Sequence, residues 1–377
     1  MDFEFSDEQE QLRDAVRRWV DKGFGFERRH ALAKAGGQTH EVLGELNELG
    51  LAGLVVPEAH GGMGFGAVEA MVVMEELGRG LVNAPYAQAA LVAPTLLSHA
   101  PAALQDAWLP KIAGGEALLV LAQQERHSRY DLDKVAVKAT EAGGGWKLSG
   151  TKVVVPAGDE ADAFIVSARV GGGESDPAGV ALFIVDKGAA GATLRGYPTQ
   201  DGARAADLVL ADTPATLLTK NGHDALEHAA DVAIAALCAE AVGLMDKMVA
   251  VTVDYMHQRK QFGVPLASFQ ALRHRIADVK MQLELGRSMS YFASLKLGDP
   301  AEQRRRALSQ AKVQLGNSMR FVGQQCTQIH GGIGVTDEYV SSHYFKRLTV
   351  IELSFGDTLH HLGEVSARMR DSAGVFA

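Results

Sequence analysis

The sequence predicts an α+β chain laid out as helices, then an antiparallel β-block, then helices again. Apolar residues recur at helical spacing up to about residue 116 and again after Asn221-Gly222. Between them the texture changes to short β-rich runs parted by glycine turns. That order is not the alternating rhythm of a doubly wound sheet. The expected divisions are 1–116, 117–222 and 223–377.

The first helix is expected to start at Ser6, which has capping-box spacing to Gln9, and to present Leu12, Val16, Trp19 and Val20 on one face. Further helices are punctuated by VVPEAHGGMGFG at 55–66, by Pro85 and Pro101, and by Gly114-Gly115. The β-block reads LLVLA, VAVKA, WKLSGTKVVV, AFIVSA, VALFIVD and ADLVL, with glycine triplets at 143–145 and 171–173 as turns. In the helix that follows, Leu226, Ala230, Ala233, Leu237, Leu244, Met248, Val251 and Tyr255 recur in steps of three and four, with one step missing. The gap falls beside Glu240, in LCAEAVGLM. A carboxylate on or beside a buried stripe is unfavourable unless something compensates it.

Composition bounds the function. The 377 residues are 47% hydrophobic and 22% charged, as expected of a globular chain with a large core. A formal net charge of −9 argues against nucleic acid and anionic membrane surfaces as partners. Cys238 and Cys326 both fall in helical patterns, so no disulfide framework is expected and a reducing cytoplasm fits. The acidic start MDFEFSDEQE has no signal-peptide pattern, and no apolar run is long enough to span a bilayer. No metal site is expected.

Two stretches carry chemistry. DYMHQRKQFGVPLASFQ offers guanidinium, amide and aromatic groups close together, which suits an anionic, planar ligand. QCTQIHGGIGVTDEY puts Gln328 and His330 ahead of a glycine pair that admits close approach of a backbone or a ligand. Taken singly, each could be a helix terminus.

Together, in this order and spacing, they resemble the acyl-CoA dehydrogenase family. Support comes from SDEQEQLRDAVRRWV, LGLAGLVVPEAHGGMG, MEELGRGL and GWKLSGTKVVVPAGDEADAFIVSAR elsewhere in the chain. The resemblance implies a helical domain, a β-domain and a C-terminal four-helix bundle. It also implies bound FAD, a CoA thioester substrate, electrons passed to an electron-transferring flavoprotein, and assembly as a homotetramer or as a heterotetramer with a related subunit. It assigns Arg259, Gln261 and Phe262 to the segment reaching the neighbouring subunit's FAD, Phe269 and Gln270 to an adenosine-contacting turn, and Gln328, Gly331 and Gly332 to a second cofactor segment. His330 is left open between cofactor and core.

The implied reaction is α,β-desaturation: a base takes the α-proton while the β-hydrogen leaves as hydride. Here the chain departs from the family. Phe355, in SFGD, stands where a Tyr-Glu-Gly-Thr segment would carry the glutamate, so only its backbone N–H is left to hold the thioester oxygen. The alternative position on the first long C-terminal helix is Ala233. Glu240 lies seven residues, two turns, further along and is the expected base, with a structural carboxylate paired to a neighbour as the alternative. Asp357 matches a threonine beside the cofactor and is a weaker candidate for the base. In the β-block Gln124 replaces a hydroxyl residue near the flavin, Arg126 and His127 replace Pro-Gly, and Val154 replaces an aromatic. These changes resemble the branch that handles steroid side chains and other ring-bearing acyl groups, often as heteromers. The competing readings are a subunit without chemistry that completes a partner's FAD site, and an oxidase that uses oxygen as acceptor.

Overall fold

The computed structural model describes residues 4–37 and 39–372. In chain order the helices α1 (Asp7–Gly23), α2 (Phe26–Lys34), α3 (Thr39–Glu48), α4 (Ala67–Arg79), α5 (Ala93–Leu97) and α6 (Ala102–Ala113) precede the strands. These are β1 (Leu119–Ala122), β2 (Lys138–Ala142), β3 (Gly145–Pro156), β4 (Ala163–Arg169), β5 (Val180–Asp186), β6 (Ala192–Pro198) and β7 (Arg204–Thr219). Then come α7 (Gly222–Gln258), the short hairpin β8 (Lys260–Gln261) and β9 (Val264–Pro265), and α8 (Gln270–Lys296), α9 (Ala301–His330), α10 (Val340–Leu353) and α11 (Thr358–Ser372). The expected order of helices, sheet and helices holds.

The start of α1 forms as its sequence dictates: Ser6 Oγ accepts from Gln9 N–H while Gln9 Oε1 accepts from Ser6 N–H. Val16 and Val20 are buried, Leu12 and Trp19 partly so. The sheet differs from the expectation in its pairing, in β6, which lies outside the predicted runs, and in β2, which starts only at Lys138 of VAVKA. Most pairs are antiparallel, but β1 runs parallel to β4, and a single parallel pair, Lys138 with Arg169, joins β2 to β4. With β2–β3, β3–β7, β7–β5 and β5–β4 antiparallel, the strands close into a ring around Val166, Phe183, Val185, Leu208 and Leu210.

The chain packs as two compact units. Among the described residues, one gathers those up to His30, Ala67–Val82 and those from Ile234 on; the other holds those of Ala31–Gly66 and Asn83–Ala233. This grouping cuts across the linear divisions, because α1 and α4 share a unit with the C-terminal helices. Within that unit α7 is not the amphipathic helix its spacing suggested: every residue from Ile234 to Met245 is buried. It runs through the core, with Leu244, Met245 and Met248 packed among Leu283 of α8 and Leu308 and Leu315 of α9.

Two glycines let α4 and α7 cross closely. A Cβ on Gly78 would strike the backbone carbonyl of Glu240, and one on Gly243 would strike that of Glu75. Gly→Ala inside a helix ordinarily stabilises by about 1 kcal/mol. Gly243→Ala is expected to reverse the sign and lower stability in urea unfolding by about 2 kcal/mol, the overpacking range; a stabilised variant would contradict the crossing.

Candidate functional site

The end of α7 leads into an exposed arm. Its hairpin pairs Lys260 with Pro265 and Gln261 with Val264, around a tip whose residues Phe262 (φ 54°) and Gly263 (φ 81°) are both left-handed. That is the geometry of a tight hairpin turn, and a bulky residue there is strained. Phe262 is 91% exposed, and its ring meets Phe269 edge-on at 6.2 Å. Arg259, Gln261 and Gln270 are exposed as well. Arg259 is fixed through its backbone, which donates to Tyr255 O and accepts from Leu266 N–H. Beneath the arm lies a cavity of about 470 Å³ lined by Val253, Met256, His257, Pro265, Arg273 and Ile276, among others.

The second motif sits beside the first. Tyr255 stacks on His330 at 4.6 Å between centroids, and its hydroxyl donates to His330 O at 3.3 Å. Gln328 is exposed. Gly331 has φ 65° and ψ −140°, a conformation open to glycine alone, and a Cβ on Gly331 or Gly332 would meet empty space. A ligand can therefore approach this backbone. His330 itself faces inward: it is 3% exposed, its Nδ1–H donates to Cys326 O at 2.8 Å, and burial lowers its pKa.

Glu240 has a partner. Arg347, on α10, donates from Nε to Oε1 at 2.5 Å and from Nη2 to Oε2 at 2.8 Å, and the carboxylate is 4% exposed. Both oxygens are engaged by a bidentate guanidinium, the strongest form of such a pair. This is the pairing to a neighbour that stands as the alternative to a base.

Phe355 lies in the turn between α10 and α11, at φ 54°. Lys312 of α9, 1% exposed, extends its ammonium into this turn and donates to the carbonyls of Ile351 (2.8 Å), Glu352 (3.2 Å), Ser354 (2.7 Å) and Gly356 (3.0 Å). Burial lowers its pKa to about 8. Asp357 Oδ1 accepts from His360 N–H at 2.8 Å, so this carboxylate caps the start of α11. Glu352 accepts from Thr358 at both N–H and hydroxyl.

In the other unit, Gln124 is exposed and its carbonyl accepts from Val153 N–H at 2.8 Å, which places it next to Val154. Val154 lies within an irregularity of the β3–β7 register, between Lys152 and Val155, and has φ 53°, a true outlier for a β-branched side chain. Its side chain is largely solvent-facing, as are Arg126 and His127. Behind this edge the buried ammonium of Lys152 binds Glu125 (2.6 Å), Ser167 Oγ (2.9 Å) and Gln123 O (3.1 Å).

His30, Asp337 and His343 also cluster. Arg29 Nη1 lies 2.8 Å from His343 Nδ1 and can only donate, so His343 carries its proton on Nε2, which donates to Asp337 O. That tautomer turns an N–H, not a lone pair, toward the cluster, and the arrangement is a hydrogen-bond network rather than a ligand set.

Sequence reasoning missed Lys312, Arg347 and Lys152. Lys312 carried the signal that drew attention to Glu240, a charge inside the apolar run of Leu308, Ala311 and Leu315.

Comparisons with known proteins bear on the family and the fold. The chain matches the acyl-CoA dehydrogenase N-terminal domain over residues 6–116, the middle domain over 121–212 and the C-terminal domain over 220–369. It is 28% identical to the mitochondrial isovaleryl-CoA dehydrogenase of Oryza sativa subsp. japonica, over 93% of this chain and 88% of that protein. Among solved structures it is similar to a chain of the Tcur3481-Tcur3483 steroid ACAD G363A variant, with a TM-score of 0.87, 30% identity and coverage of 98% and 99%. It shares its fold with a chain of the ChsE4-ChsE5 complex from Mycobacterium tuberculosis, at a TM-score of 0.87, 24% identity and coverage of 99% and 100%. The chain belongs to the acyl-CoA dehydrogenase family, a family of FAD-binding flavoprotein oxidoreductases. Among the described residues no helix is long and apolar enough to cross a membrane.

Replacing Arg347 with Met strands a buried carboxylate, and urea unfolding is expected to show a loss of about 3–5 kcal/mol. Glu240→Gln in the same background should restore part of it. An Arg347→Met protein as stable as the parent would contradict the pairing.

Proposed function

We propose that this chain is the baseless subunit of a heteromeric acyl-CoA dehydrogenase: it completes the FAD site of a related partner, and α,β-desaturation of the acyl-CoA proceeds on the partner's carboxylate. The observation that carries this reading is the state of the carboxylates. Phe355 and Ala233 stand at the two positions where the family resemblance expects a base, Glu240 is held by Arg347, and Asp357 caps a helix. A phenyl ring and a methyl group take no proton, and both oxygens of the Glu240 carboxylate are turned onto a guanidinium.

The residues that would hold the flavin fit an anionic, ring-bearing nucleotide. Arg259 and Gln261 on the arm suit a pyrophosphate and its neighbouring polar groups, Phe262 and Phe269 a ring face, and the open backbone at Gly331 and Gly332 a close approach beside Gln328. Gln270 at the start of α8 would add to these contacts. In the other unit, taken by itself, exposed Gln124 and Val154 would meet a flavin ring. When bound, FAD supplies the two-electron acceptor for the hydride, and the electrons then pass to an electron-transferring flavoprotein. The likeness to a chain of a two-component steroid enzyme supports the heteromeric reading and a ring-bearing acyl group as substrate.

The test is anaerobic addition of straight-chain and ring-bearing acyl-CoAs to the flavin-loaded chain, alone and co-produced with a family subunit that carries the glutamate. Bleaching is expected only in the co-produced assembly, and Arg259→Ala in this chain should lower its flavin content. Bleaching of the chain by itself would overturn the proposal.

A further inference from the structure

The cavity beneath the arm is lined by none of the residues proposed to hold the flavin. Val253, Met256 and His257, at the end of α7, form one wall, and Arg273 and Ile276, in the first turns of α8, form another. Pro265, Ala267 and Ser268 of the arm make the roof. Its volume of about 470 Å³ is that of a small-molecule site, which spans roughly 300–1,000 Å³.

The walls are fixed. Met256 is buried, and Val253 and Ile276 pack against the helical core. The roof is tied down at three points: Leu266 N–H donates to Arg259 O at 2.9 Å, Ser268 Oγ to Pro265 O at 2.7 Å, and Arg273 Nε to Ala267 O at 2.6 Å. The space is thus built into the fold before any ligand arrives.

Its chemistry is lopsided. Five of the eight lining residues, Val253, Met256, Pro265, Ala267 and Ile276, are apolar, so most of an occupant would lie against hydrocarbon. Arg273 is the charged exception. Its Nε is taken by Ala267 O, whereas Nη1 and Nη2 have no partner among the described residues. Two donor nitrogens on one planar guanidinium match the two oxygens of a carboxylate. His257, also without a partner among the described residues, offers one further polar contact. The surroundings have the same sign as Arg273: from Asp254 to Asp278 the chain carries four Lys or Arg against two Asp, in a protein of net charge −9. Such a local excess draws an anion. A phosphate, with more oxygens to satisfy, would find only one guanidinium and one imidazole here.

We propose that the cavity beneath the arm binds a free carboxylic acid with a compact apolar body, aliphatic or aromatic. The carboxylate sits on Arg273 and the hydrocarbon against Val253, Met256, Pro265 and Ile276. The inference goes beyond the reading of the chain as a baseless subunit and does not depend on it, since no lining residue is a candidate base.

The test is calorimetric titration of the full flavin-loaded chain, in its assembly if that is the form that retains FAD. Hexanoate and phenylacetate are the probes, hexanamide and phenylacetamide their uncharged counterparts, and inorganic phosphate a bare anion. Flavin absorbance of the same samples reports whether the cofactor stays in place. The parent is expected to bind at least one acid with its flavin retained, and to bind the matching amide and phosphate at least tenfold more weakly. Arg273→Gln should weaken binding of the acid at least tenfold, equivalent to about 1.4 kcal/mol, and Arg273→Lys, which keeps the charge, by less. Ile276→Trp, which fills the cavity, should abolish binding. The proposal is overturned by a parent that binds neither acid, by an amide or phosphate bound as tightly as the acid, or by release of flavin when the acid binds. Undiminished binding of the acid in Arg273→Gln would overturn it equally.

Discussion

A charge buried in a helical core has to find its partner inside that core, and two such charges set the architecture of the C-terminal helices. Glu240 lies on a stretch of α7 with no solvent-facing side, so its carboxylate can be kept only by a cation that reaches it from another helix. Arg347 does so from α10 with two hydrogen bonds. Lys312 is the converse case: a buried ammonium satisfied by the carbonyls of Ile351 and Glu352 at the end of α10. One pair ties α10 to α7, and the other ties the turn after α10 to α9. The turn where the family resemblance expects a glutamate is therefore rigidly built although the glutamate is gone.

This separation of scaffold from chemistry explains how the chain keeps so much of the family's layout without the usual base. The arm at Arg259 to Phe269 and the glycine pair at 331–332 are joined by Tyr255 and His330 and need no carboxylate. Phe355 adopts the left-handed backbone of its turn despite the strain, which persists because Lys312 and His361, whose Nε2 donates to Phe355 O at 3.0 Å, over-determine the conformation.

Much of this was legible in the sequence, for identifiable reasons. Capping at Ser6, the run of β-rich segments and the return to long helices are local signals, and each formed where it was expected. The family was legible because the residue types and the order of the two motifs are together specific. What failed was the step from periodicity to exposure on α7. A period of three and four reports an apolar face, but a helix sheathed on all sides shows the same period, and the gap at Glu240 was not a face at all. Partners distant in sequence were also invisible: Arg347 lies 107 residues from Glu240, and nothing local links them. The single parallel pair that closes the strand ring leaves no sequence trace either.

Proton abstraction can be measured apart from flavin reduction. The flavin-loaded chain on its own, incubated in heavy water with hexanoyl-CoA and phenylacetyl-CoA, is predicted to exchange the α-protons no faster than buffer does, in the parent and in Glu240→Gln alike. Exchange above that background in the parent, abolished in Glu240→Gln while the protein keeps its flavin and its fold, would contradict the account and return Glu240 to the role of base.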